Sequence, residues 1–388
     1  MDRRTASLKN HFEALYLRDR YSAFYLFAIS ADETDRKKRL MENSQKRLTI
    51  TEINILDWNE YSEDGQNVYA RRNESDLSEK EKSFIDYIKG RGKYGYGNKD
   101  LVRIEAYKKQ IHQFILQDVK NCIENADIFL SNNGVEDDLN KKMEWEIVRN
   151  ICLILYPGLV QPTPIERCMQ IAFAAKANSG CLSRQVGAVV TDSKFRILSI
   201  GWNDVPEGDV PCSKKNLLDL SDVEDRGAYT HYELFDEDFR KRINKYKIRN
   251  PDLEPCLCGL PLRYCFKDIH KDGKDPMRSR AMHGEEKALD SCGRECEGGY
   301  LFTTSSPCEM CSKKAKDKHI HKIYYIEPYP GISEDQYSRS GDKDNIAKHI
   351  LFTGAVGRAY TQMYSPIMPY KDILGFLGAE DCLGVKKK

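Results

Sequence analysis

Two short motifs restrict this chain more than any other feature. His283-Gly284-Glu285 stands at the head of one expected helix, and Pro307-Cys308-Glu309-Met310-Cys311 opens another. Between them the apolar run Tyr300-Leu301-Phe302-Thr303-Thr304 reads as a buried strand, and His321-Lys322-Ile323-Tyr324-Tyr325-Ile326 reads as a strand after the second motif. Two thiolates at a helix start can share one Zn²⁺, because the helix N-terminus favours their negative charge. His283 supplies a third ligand and leaves the fourth tetrahedral position to water. Two thiolates and a neutral imidazole cancel the ion's charge, so that water is less acidic than on three histidines. A carboxylate beside it is therefore needed, and Glu285 is placed to move its proton.

The cysteine distribution supports metal chemistry. The chain holds 13 cysteines, an odd number that does not fit a disulfide framework. Seven of them, Cys256, Cys258, Cys265, Cys292, Cys296, Cys308 and Cys311, crowd into one stretch. Cys122, Cys152, Cys168 and Cys181 stand alone in helical or apolar surroundings and read as small buried hydrophobes. The alternative to an open site is a closed structural one, with Cys292 or Cys296 as fourth ligand. A structural site, however, has no use for the glutamate. Cys256, Cys258 and Cys265 are either free thiols or ligands of a second, structural Zn²⁺ completed by Cys212, His270 or Cys296, the latter because the surrounding segment lacks an obvious core.

At 388 residues the chain is too long for one core of ordinary size, and two or three domains are expected. Residues 1–155 read as a small α/β unit. A helix over Ser7–Asp19 precedes a buried strand of a parallel sheet over Ser22–Ile29 and a charged helix from Asp32 to Leu40. A second strand at Ala126–Asn132 and a helix over Val135–Ile151 complete the unit. The glycine-rich Gly90–Gly97 lacks the order of a phosphate loop and reads as a surface loop; no Walker A motif occurs in the sequence. Tyr156-Pro157-Gly158 and Gln161-Pro162-Thr163-Pro164 mark a boundary, and residues 162–388 read as the second domain. Thr163 caps a helix over Pro164–Ala177, and strands follow at Val186–Thr191 and Arg196–Gly201. Residues 206–280 are polar and form an insertion with its own fold or its own staple.

Charge and hydropathy exclude several classes. The 61 basic and 60 acidic residues nearly cancel, so no global field draws the chain to nucleic acid or anionic membranes. Lys313, Lys314, Lys316, Lys318 and Lys322 form the best local basic cluster, and Lys386-Lys387-Lys388 reads as a solvated tail. No apolar run approaches the length of a membrane span and no secretory signal is visible, so a cytoplasmic location is expected.

H-x-E followed by P-C-x-x-C is the signature of zinc deaminases acting on nucleobases. From about Pro162 to Pro366 the chain resembles the deoxycytidylate deaminase branch of the cytidine deaminase superfamily. Besides the two zinc motifs, Ser183-Arg184-Gln185-Val186-Gly187-Ala188-Val189-Val190 and Gly201-Trp202-Asn203-Asp204-Val205-Pro206-Glu207-Gly208 carry the likeness. Tyr325-Ile326-Glu327-Pro328-Tyr329-Pro330 and Phe352–Tyr360 resemble the bacterial anti-phage dCTP deaminases, which join a P-loop-kinase-like region to such a domain. Phe27–Leu40, Asp64–Val68 and Asn125–Asn133 resemble the later part of that region. The resemblance implies a cytidine-deaminase-like mixed sheet flanked by helices, preceded by a smaller α/β kinase-like remnant without its phosphate loop.

It further implies one catalytic Zn²⁺, a homo-oligomer, and deamination of dCTP or dCMP that depletes the nucleotide pool during phage infection. An inhibitory RNA, nucleotide or protein regulator would act through the first domain. Residue by residue, Asn203 would bond the sugar, Ser183 and Arg184 would hold phosphate, and Tyr329 would pack near the base. A surface ion pair is the competing reading for Arg184, and a simple turn with Pro206 for Asn203. Gly284 stands where the family usually has alanine, a small change expected to loosen the helix start slightly. Two other functions compete with a free-nucleotide deaminase: a polynucleotide deaminase, and a catalytically silent zinc-binding regulatory module.

Overall fold

Thr163 starts the larger unit's first helix as a capping box. Its hydroxyl accepts from Glu166 N at 3.2 Å, and the Glu166 carboxylate accepts from Thr163 N and Oγ1 at 2.9 Å each. In the computed structural model of the chain, residues 8, 10–31, 33–42, 47–49, 119–133, 136–217, 219–222, 226–249, 262–269, 279–327 and 347–378 are described. They divide into two units, 1–149 and 150–388.

In the first unit α1 (His11–Arg20), β1 (Phe27–Ser30), α2 (Glu33–Glu42), α3 (Val119–Glu124) and β2 (Ile128–Ser131) follow one another, and α4 (Glu136–Leu155) spans the division. β1 and β2 pair in parallel, Phe27 opposite Ile128. β1 is shorter than the apolar run Ser22–Ile29 suggested and is not buried throughout: Ile29 is 57% exposed, whereas Ile128, Phe129 and Leu130 of β2 are buried. A run of apolar residues alone does not reveal which strand of a pair lies inside. Gly90–Gly97 and Asp64–Val68 lie outside the described residues.

The second unit is built on a five-stranded mixed sheet in the order β4-β3-β5-β6-β7. Its strands are β3 (Gly187–Thr191), β4 (Ile197–Trp202), β5 (Tyr300–Ser305), β6 (Lys322–Glu327) and β7 (Lys348–Leu351). β3 runs antiparallel to both β4 and β5, while β5, β6 and β7 are parallel. All five residues of β3 are buried, as are all but the first of β5 and of β6, the pattern of a sheet covered on both faces. α5 (Pro164–Ala175) covers one face: a Cβ added at Gly187 would stand 2.0 Å from Ala172 O. α8 (Gly284–Ser291) covers the other, where Ala188 and Val190 pack with Ala288 and Leu289. α9 (Glu309–Asp317) lies beside α8 and adds Ala315 to that core.

The insertion does have a core. Leu217, Leu220, Tyr229, Phe239, Ile243, Tyr264 and Ile269 form a buried cluster around α6 (His231–Phe235) and α7 (Glu237–Arg249). Its apolar members are too widely spaced along the chain to show as a periodic pattern, and two of them are tyrosines. At its centre Lys215 and Glu233, both fully buried side chains, pair at 2.7 Å and 3.0 Å. Tyr264 donates to Glu233 at 2.7 Å, and Arg280 reaches Glu233 at 3.4 Å. Burial works against both charges, while the pair's hydrogen bonds favour them; the Glu233 pKa ends below its ordinary value. Removing one partner strands the other, so Glu233→Ala is expected to cost about 3–5 kcal/mol of stability, measurable by denaturant unfolding. A loss below about 1 kcal/mol would contradict this packing.

β7 carries a second stability determinant. Nε2 of His349 is buried and has no hydrogen-bond partner among the described residues, and burial holds its pKa down at about 4. Unfolded, the imidazole titrates near 6.5. As pH falls from about 6.5 to about 4 the unfolded chain takes up a proton that the folded chain refuses, so stability falls through that window. His349→Leu should flatten the dependence of Tm on pH there relative to the unsubstituted protein; parallel curves would exclude the imidazole as a cause. Among the described residues, no helix is long and apolar enough to cross a membrane.

Candidate active site

Two helix starts converge on one point. His283 is the N-cap of α8 and Cys308 the N-cap of α9, with Cys311 in the first turn of α9. The His283 side chain does not cap its own helix and faces the thiols of Cys308 and Cys311 instead. Nδ1 of His283 lies 3.4 Å from Sγ of Cys308 and 3.4 Å from Sγ of Cys311, and all three donor atoms fall within 4.8 Å of one another. Among the described residues this is the one cluster of three or more possible ligands. Tetrahedral Zn²⁺, with Zn–S of about 2.3 Å and Zn–N of about 2.0–2.1 Å, requires N···S separations of about 3.5 Å. The donor set therefore fits the ion.

The three donor groups shift one another's protonation. The Cys308 thiol is drawn down to about 4, first by a hydrogen bond from Cys311 and then by His283. His283 is held up at about 8 by its bond to Cys308, against the opposing effect of burial. Cys311, the donor in the thiol pair and itself buried, is pushed upward. Binding a divalent cation to such a set releases the thiol proton, because thiolates are the ligands.

Glu285 is 4% exposed, and burial pushes its carboxyl up to about 7. Its own backbone amide, His283 and the Thr303 hydroxyl oppose that rise. A carboxyl balanced near neutrality can both accept and donate a proton, as general acid–base catalysis requires. Room for its helix start is scarce. A Cβ at Gly284 would meet Val186 O at 3.0 Å and Asn203 N at 3.2 Å, so glycine here lets the helix approach closely and does not loosen it.

Asn203, 8% exposed, links this helix start to the chain before β3. Its Oδ1 accepts from Val186 N at 2.6 Å, its Nδ2 donates to Arg184 O at 2.7 Å, and its own N–H donates to Val186 O at 3.0 Å. The amide still has one donor and acceptor capacity to spare. Arg184 donates to Ser305 Oγ at 3.0 Å and pairs with Glu327, at the C-terminal ends of β5 and β6. It therefore forms an ion pair, but at the sheet edge where α/β proteins take ligands. Ser183 is exposed beside it. Thr303, Ser305 and Glu327 escaped sequence reasoning; the available signal was the polar residue at the end of each apolar strand.

The remaining cysteines lie elsewhere. Cys292 and Cys296 are buried against the sheet and do not complete the cluster as fourth ligands, because Cys292 ends α8 and the metal cluster sits at its start. Cys265 is half-buried, its thiol pushed up to about 11 by burial. Cys256, Cys258, His270 and Tyr329 lie outside the described residues. Beside the donor set a cavity of about 940 Å³ opens between Arg280, His283, Glu286, Met310, Cys311 and Lys313.

Buried helix starts presenting a histidine and two cysteines beside a glutamate, on a mixed five-stranded sheet, define a cytidine-deaminase-like domain. Residues 162–327 match the family model described as the cytidine and deoxycytidylate deaminase zinc-binding region. The deoxycytidylate deaminase of Enterobacteria phage T2 is 26% identical over 166 residues, 42% of this chain and 78% of the relative. That of Enterobacteria phage T4 is 28% identical over 166 residues, 42% of this chain and 76% of the relative. Among solved structures, the dCMP deaminase of cyanophage S-TIM5 in complex with dCMP and dUMP is 20% identical, covering 50% of this chain and 99% of its own, with a TM-score of 0.29.

Proposed function

We propose that the chain is a zinc-dependent hydrolase that deaminates cytosine in free deoxynucleotides, converting dCMP, dCTP or both to the uracil nucleotide. The observation that carries this reading is the buried Glu285 carboxyl two residues from His283, one of the donor set His283, Cys308 and Cys311. Those three residues would hold Zn²⁺, which when bound would supply Lewis acidity for activating water. Glu285 takes a proton from the attacking water as it adds to the carbon bearing the amino group. It gives that proton to the ring nitrogen, then carries a second proton, from the hydroxyl now on that carbon, to the amino group, which leaves as ammonia. Asn203 fixes the Arg184–Val186 segment that borders the site, and its spare donor suits a sugar hydroxyl. Arg184, with Ser183 beside it, offers a guanidinium to phosphate, in exchange with Glu327.

A near-zero net charge favours a free nucleotide over a polymer. Three further parts of the reading rest on resemblance alone: dCTP depletion as an anti-phage device, a homo-oligomer, and regulation of residues 162–388 through residues 1–155 by a nucleotide, RNA or protein. A structural Zn²⁺ on Cys256, Cys258 and Cys265 rests on the crowding of those cysteines, since the insertion has a core of its own. The test is ammonia release by zinc-loaded protein from dCMP and dCTP assayed side by side. Turnover of either supports the reading. Turnover only with single-stranded DNA or RNA would assign the lysines of α9 to a polynucleotide, and silence toward every cytosine substrate would leave a zinc-binding module.

A further inference from the structure

The turn that follows α8 is solvent-facing, yet it hides two thiols. Ser291, Gly293, Arg294, Glu295, Glu297 and Gly298 are exposed, whereas Cys292 is 6% and Cys296 1% exposed. Their Sγ atoms are 2.7 Å apart. Each also faces a carbonyl, Cys292 that of Leu289 at 3.1 Å and Cys296 that of Gly293 at 3.3 Å. The turn folds back because Gly293 and Gly298 take positive φ values of 66° and 70°.

We propose that Cys292 and Cys296 are a modification site: a thiol–disulfide couple that a hydroperoxide oxidises and a small dithiol reduces. A disulfide needs the sulfurs at about 2.05 Å, an approach of about 0.7 Å from where they stand. No other side chain has to move between them. In the first step one thiol attacks the peroxide, whose O–O bond breaks; the sulfur becomes a sulfenic acid and an alcohol or water leaves. In the second the other thiol attacks the sulfenic sulfur, the S–S bond forms and water departs. Two electrons pass from the two sulfurs to the peroxide, and both thiol protons end in the released water or alcohol.

Burial sets the rate and not the outcome. The Cys292 thiol is pushed up to about 12 by burial and by its bond to Cys296, so attack proceeds when the glycine-flanked turn opens. The couple sits at the end of α8 opposite Glu285, and its oxidation state ties or releases the C-terminal turn of that helix without touching His283, Cys308 or Cys311.

The experiment treats full-length, zinc-loaded protein with hydrogen peroxide, then unfolds it, blocks free thiols by alkylation and digests it with trypsin. Arg294 lies between the two cysteines, so the disulfide joins peptide 288–294 to peptide 295–313 with the loss of two hydrogens. More than half of these peptides should be joined through Cys296, and a dithiol reductant should separate them. Cys292→Ser should lose the joined species while keeping its zinc. Recovery of Cys292 and Cys296 as alkylated thiols, or a bridge from Cys292 to Cys308 or Cys311, overturns the proposal. The measurement on the unsubstituted protein is decisive even if the variant fails to fold, and its result does not depend on any deaminase activity.

Discussion

Glu285→Gln should retain zinc, fold and cavity while losing deamination by about 10³–10⁴-fold, the upper part of the range for a positioned general acid–base group. Glutamine keeps the shape of the side chain but carries no proton between water and leaving nitrogen. The large figure is expected because one carboxyl serves twice, accepting from the water and then donating to the base. Zinc content and the steady-state rate, measured on the same sample, separate this from loss of the metal. Residual activity within tenfold of the unsubstituted protein would remove Glu285 from the proton path.

Gly201→Ala should remove the site by displacing its scaffold. A Cβ at Gly201 in β4 would lie 2.2 Å from Gly284 O and 2.7 Å from Ala288 N, both backbone atoms of α8. No rotamer relieves contact with backbone, so α8 must move away from the sheet, carrying His283 and Glu285 with it. The expected result is a stability loss of about 3 kcal/mol or more, with zinc retention falling in parallel. Thermal unfolding and zinc analysis would show it. Unchanged Tm and stoichiometric zinc would mean that α8 does not pack on β4 as described.

Gly201 also illustrates what the sequence could convey. As part of the Gly201–Gly208 stretch it was legible as a family feature, but its reason is a close approach between residues far apart in the chain. The donor set was legible because its spacing is local: a Cys-x-x-Cys pair at one helix start, a His-x-Glu at another, and a strand between. The start of α5 was legible for the same reason, since its capping box runs only from Thr163 to Glu166. By contrast, the pairing of Arg184 with Glu327 joins residues 143 positions apart and depends on which strands are neighbours in the sheet. The insertion's core stayed hidden because Tyr229 and Tyr264 supply part of it, and because a buried Lys215–Glu233 pair reads as surface charge in one dimension.

The central claim is an ion held by three side chains with one coordination position open to water. Zinc K-edge X-ray absorption on the purified, zinc-loaded protein, with Cys256→Ser and Cys258→Ser introduced to remove any second metal, tests it most directly. The account predicts two sulfur scatterers at about 2.3 Å and two nitrogen or oxygen scatterers at about 2.0–2.1 Å, one of the latter exchangeable. Three or four sulfurs around the ion would show a closed structural site and would contradict it.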